Sequence, residues 1–205
     1  MMKSQISILA IVTALVLDMR TAEAAKFVLP KNATNMSALA VSRIYADHTW
    51  KWGSGGAYFG PNRIFYAVSG EGKSLNIAAG RWLVTKGGRL CFNADWSSRQ
   101  NVFKNIMTCF NHAEYRGNYY QAKGLSGRWY SIKSAKPSPQ DMIRLIVSGD
   151  QVGCLYLDSA RKLKHHYLDS ARKLKHHLSA RQTGQLAKLK KAKSACPVGK
   201  QAAAK

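Results

Sequence analysis

The stretch that decides the fold is Gly80-Arg81-Trp82-Leu83-Val84-Thr85-Lys86-Gly87-Gly88-Arg89-Leu90-Cys91-Phe92-Asn93-Ala94-Asp95-Trp96, a polar loop centred near Gln100, and Lys104-Asn105-Ile106-Met107-Thr108-Cys109-Phe110. Leu90, Phe92, Ala94 and Trp96 alternate with Cys91, Asn93 and Asp95, as in a strand with one buried face. If Trp96 and Lys104 flank the loop, antiparallel pairing sets Cys91 across from Cys109. Directly opposed Cβ atoms then lie close enough for a disulfide. Closing a loop of this size is worth roughly 3 kcal/mol in the chain-entropy account. Two reduced, buried cysteines are the alternative.

A disulfide needs an oxidising compartment, and the first residues point to one. Residues 6–17 are almost wholly apolar after a single early lysine, and Ala22-Glu23-Ala24 supplies small residues before Ala25. We read 1–24 as a cleaved secretory signal, and the protein as periplasmic or secreted. The apolar run falls short of the roughly 20 residues that span a bilayer, so an uncleaved anchor is the lesser reading.

The remaining length supports one core. All five tryptophans lie between Trp50 and Trp129, so we expect the core to end near Gly153. The formal net charge is +22, and residues 156–205 carry 13 Lys/Arg against two acidic residues, half of the whole excess. We therefore divide the chain into signal (1–24), extended lead-in (25–36), β-domain (37–153) and basic helical tail (154–205).

Within the β-domain, Ser37 caps a short helix that runs to about Ala46. Short segments rich in aromatic and β-branched residues follow at 49–52, 57–60, 63–68, 74–78, 81–85, 89–96, 104–111, 118–123 and 128–133. Turn signals such as Gly60-Pro61-Asn62 and Gly70-Glu71-Gly72 separate them. This predicts a mainly β fold, an antiparallel meander curled into a small barrel or half-barrel, with a short N-terminal helix and a C-terminal basic amphipathic helix. Gly80-Arg81-Trp82 recurs as Gly127-Arg128-Trp129, which suggests two equivalent corners. Ser138-Pro139 with Asp141 predicts a helix start that would cover an open end of the sheet.

Taken together, Thr49-Trp50-Lys51-Trp52, Gly56 to Phe59, Gly80-Arg81-Trp82, Leu90-Cys91-Phe92, Trp96, Thr108-Cys109-Phe110 and Trp129-Tyr130 carry a resemblance. The run from Tyr45 through Val152 resembles a family of exported bacterial proteins defined as a domain of unknown function, number nine-nine-five. That resemblance implies no activity and no catalytic or binding residues, and it leaves the tail outside the family pattern.

Other motifs carry less. Residues 67–74 satisfy a permissive phosphate-loop pattern, but such a loop must open a helix, and residues 75–82 look like strand and turn. A hairpin turn is the better reading, and no nucleotide, cofactor or metal is expected. His48 and His112 are the only core histidines. An enzyme using either in the mouth of the sheet is one alternative to a binding or envelope-associated module.

The tail supplies the other alternative. Tyr156 to His166 is repeated without change as Tyr167 to His177, and Tyr156, Ala160, Leu163, Tyr167, Ala171, Leu174 and Leu178 fall on one helical stripe. We expect a long helix interrupted near Gly184. Arg161, Lys162, Lys164, Arg172, Lys173 and Lys175 would contact an anionic membrane surface or another polyanion such as nucleic acid. A recent in-frame duplication without function explains the repeat equally well. The paired histidines 165–166 and 176–177 point apart on a helix and cannot close a metal site.

Overall fold

The structure is a computed structural model, and it describes residues 28–124, 127–169, 181, 183–184 and 187–188. The expected signal, most of the second repeat and the end of the tail lie outside the described residues.

Among the described residues, ten strands form one antiparallel sheet. They are β1 (Thr34–Asn35), β2 (His48–Trp52), β3 (Gly55–Phe59), β4 (Ile64–Ser69), β5 (Asn76–Val84), β6 (Leu90–Ser98), β7 (Val102–Tyr115), β8 (Asn118–Lys123), β9 (Trp129–Lys133) and β10 (Ile146–Ser148). The order is β10-β2-β3-β4-β5-β6-β7-β8-β9, with β1 pairing off the path on β7. Every neighbour but β10 comes in chain order, so the sheet is a meander, open between β9 and β10: a half-barrel.

Cys91 faces Cys109 in the β6–β7 register, and the two form a disulfide with Cα atoms 4.1 Å apart. The turn between the strands is closed by Ser98 N–H donating to the Asn101 carbonyl, where the sequence places it. The expected break between 74–78 and 81–85 does not occur, because β5 runs through Gly80. A Cβ there would lie 1.9 Å from the Asn93 carbonyl oxygen, so glycine lets β6 approach rather than turning the chain. Gly127 precedes β9, so the two Gly-Arg-Trp triplets are not equivalent corners.

Helix α1 (Ala38–Tyr45) starts at Ser37, whose Oγ accepts the Ala40 N–H at 3.1 Å. Its buried Val41 and Tyr45 pack onto the concave face with Phe59, Phe65, Trp82, Leu90 and Phe92. The helix expected after Pro139 is a single 3-10 turn, Met142–Leu145, which leads straight into β10. Asp141 organises that passage, accepting from Ser134 Oγ (2.8 Å) and the Ser138 N–H (3.0 Å). These bonds, that from Ser138 foremost, hold its carboxyl below the usual range.

Helix α2 (Gly153–Asp169) corrects the expectation that the core ends near Gly153. Tyr156, Leu157, Ala160 and Leu163 are at most 1% exposed and pack with Val152 against Tyr58, Tyr66, Val68 and Ile77 on the outer face. Asp150 caps the helix, its Oδ1 accepting from Val152 N–H (3.1 Å) and Gly153 N–H (2.7 Å). Its Oδ2 accepts from the Tyr66 hydroxyl. Burial first, and then that carboxylate, push the Tyr66 phenol up. The stripe residues of the first repeat, Tyr156, Ala160 and Leu163, are thus core, so both faces of the half-barrel are covered in their middle.

Candidate functional site

Among the described residues, two clefts flank the covered parts of the sheet. The first, about 360 Å³, lies at the open seam and is lined by Ala40, Arg43 and Ile44 of α1, His48, Tyr119, Ile143 and Ile146. His48 Nδ1 lies 2.7 Å from the Ala46 carbonyl oxygen. No carboxylate lines this cleft among the described residues, so the imidazole has no acid to orient it there.

The second, about 450 Å³, is the concave mouth away from α1. It is lined by Ser69, Asn76, Trp96, Phe103, Ile106, Thr108 and Lys123. The cross-strand pairs Ser69↔Asn76, Asn76↔Ser98 and Trp96↔Phe103 put these positions on one face, since opposed residues of an antiparallel pair share a side. The aromatic floor continues inward: Trp96, Phe110, Trp50 and Trp52 are partly buried, with Trp50 edge-on to Phe110 (5.4 Å) and to Trp52 (6.4 Å). At the rim Phe103 is 56% and Ile106 40% exposed. β8 reaches only as far as Lys123, opposite Phe110, so the first half of β7 has no neighbour on that side among the described strands. The mouth thus sets the large apolar side chains of Trp96, Phe103 and Ile106 beside the polar ones of Ser69, Asn76 and Thr108, is wide at one edge and, among the described residues, has one ammonium group, that of Lys123.

His112 sits elsewhere than in a mouth. It is 1% exposed, and its Nε2 lies 3.0 Å from the Tyr45 hydroxyl and 2.9 Å from Gln121 Nε2. Gln121 is fully buried; its amide donates to Tyr45 Oη (2.8 Å) and its Oε1 accepts from Tyr130 Oη (2.5 Å). Nδ1 has no well-aligned partner among the described residues. Burial lowers the imidazole pKa from 6.5 to about 4, with the nearby carbonyls of Gly88 and Phe110 offsetting part of the effect. A neutral imidazole in a closed polar quartet joins α1 to β7, β8 and β9 and is shut off from any substrate. The sequence singles out His112 but not Gln121, its cross-strand partner, because only the β7–β8 register brings them together. The positions that line the mouth are likewise unassigned in sequence, though Trp96 and Phe103 stand in the segment that fixes the fold.

In the first repeat Arg161, Lys162 and Lys164 are exposed, and Lys162 pairs with Asp158 at 2.7 Å. Arg172, Lys173 and Lys175 lie outside the described residues. Leu163 and Tyr156 face the sheet, so this part of the stripe is packed in the core and is not free to enter a lipid surface. The phosphate-loop pattern of 67–74 ends in a 3-10 turn, Gly72–Ser74, followed by β5, so no helix opens there. Among the described residues no group of His, Cys, Asp and Glu is placed to hold a metal, and no helix is long and apolar enough to cross a membrane.

The family of proteins of unknown function DUF995 matches residues 12–152, about two thirds of the sequence. The chain belongs to the DUF995 family. The match ends just before α2, so the helix that seals the outer face is supplied from beyond the DUF995 region while the aromatic mouth lies wholly within it. No curated protein and no solved structure matches the chain.

Proposed function

We propose that this DUF995 protein is an exported binding module, and that the concave mouth takes an amphiphilic anion, an apolar body with one carboxylate or phosphate head. The observation that carries this reading is the row of large apolar side chains left open around a 450 Å³ cleft with Lys123 at its rim. That size falls in the range of small-ligand sites, and contiguous exposed apolar surface of this kind usually marks a binding surface. The surplus of positive charge favours approach of an anion from any side. Export is supported by the Cys91–Cys109 disulfide together with the apolar leader and its small residues before Ala25. Envelope association follows the same charge: Arg161, Lys162 and Lys164 face solvent and would meet an anionic surface electrostatically, without insertion of the stripe.

Calorimetric titration with dodecanoate and with dodecanol tests the reading. Dodecanoate is expected to bind at one site. Trp96→Ala should weaken it about tenfold, equivalent to about 1.4 kcal/mol, and Lys123→Gln should weaken dodecanoate while leaving dodecanol unchanged. Absence of saturable binding, or equal affinity in both variants and the wild type, would refute the assignment to the mouth.

A further inference from the structure

The convex side of β6 and β7 carries a second arrangement, independent of the mouth. The register slips between Ala94 and Trp96, and Asn105 on the opposite strand takes φ 57°, with its N–H donating to Asp95 Oδ1 at 2.9 Å. This irregularity gathers oxygen atoms from Asn93, Asp95 and Asn105. The guanidinium of Arg181, from the far end of the chain, lies among them. Its Nη1 donates to the Asn93 carbonyl (3.2 Å) and Asn93 Oδ1 (3.3 Å), its Nη2 donates to Asn105 Oδ1 (3.3 Å), and Asp95 Oδ1 is 3.8 Å from Nη1.

The acceptors suit a flat fork. Two nitrogens of one planar group are engaged by three residues at once, a pattern that the compact ammonium of lysine cannot reproduce. The Asp95 side chain is 8% exposed against 37% for Arg181, so the carboxylate is the secluded partner and the cation comes to it from the surface.

We propose that the β6–β7 bulge is a guanidinium-recognition site, filled in cis by Arg181, which latches the C-terminal segment across the outer face of the sheet. Residues 181, 183, 184, 187 and 188 are helical, including Gly184, where the sequence predicts a break. The latch therefore ties Arg181 to the β-domain, and an arginine from another chain can enter only when Arg181 leaves.

The test uses the full chain and N-acetyl-arginine methylamide, followed through the backbone amide resonances of Asn93 and Asn105. In Arg181→Ala the probe is expected to shift both resonances saturably toward their wild-type positions. The lysine analogue should bind at least about tenfold more weakly, because its donors all sit on one nitrogen and cannot span the acceptors that Nη1 and Nη2 reach separately. Wild type should need about tenfold more probe, because tethered Arg181 competes at an effective concentration on the order of millimolar. Asn105→Gly keeps the left-handed backbone and removes one acceptor, so probe binding in the double variant with Arg181→Ala should fall severalfold. Equal binding of the two probes, equal affinity in wild type and Arg181→Ala, or no saturable shift in Arg181→Ala would overturn the proposal.

Discussion

His112 illustrates how one residue can be legible as a type and misleading as a role. A lone histidine in a β-rich segment invites a catalytic reading, yet here its ring is sealed by Tyr45 and Gln121. Its physical signature is its proton affinity. The folded pKa of about 4 lies below the ordinary 6.5, so the unfolded chain binds more protons between those values. Stability is fully present above about pH 6.5 and declines as pH falls toward 4, by about 3 kcal/mol from this group. Denaturant unfolding of wild type and His112→Asn across pH 4 to 7 measures it. The wild type should lose the additional stability in that window while the variant's profile is flatter, and parallel profiles would contradict the neutral, buried assignment.

At the scale of elements, the alternation of Leu90, Phe92, Ala94 and Trp96 is enough to place β6 and its register, because a one-residue slip would turn four apolar side chains outward. The same logic fails at β5, where Gly80 looks like punctuation and is in fact the contact point for β6. It fails again at β10, three residues long and preceded by a proline and an aspartate that mimic a helix start. Helix α2 is legible as a helix but not as core. Its composition is basic, and periodicity shows a stripe without showing what covers it. Since Leu163 is 1% exposed against Val68 and Ile77, Leu163→Ala should cost about 2 to 5 kcal/mol in denaturant unfolding, far more than an exposed tail would. A loss below about 0.5 kcal/mol would detach the first repeat from the domain.

For the whole molecule, the sheet is an open sleeve whose two sides do different work. The outer side is covered by α2 and pinned by Arg181; the inner side is filled by α1 at one end and left accessible at the other, where Trp96, Phe103 and Ile106 line the mouth. The sequence indicates the half-barrel because many short, turn-separated strands with no long intervening helix have few other solutions. It cannot indicate the mouth, which exists only where Ser69, Asn76, Trp96, Phe103 and Lys123 from five strands converge. The most direct test is resonance mapping of the labelled full chain during titration with dodecanoate. The account requires saturable shifts at the Trp96 indole and at Phe103, Ile106, Thr108 and Lys123, with Asn105, Met107 and Arg161 on the outer side unmoved. Shifts confined to the outer side, or none that saturate, would contradict it.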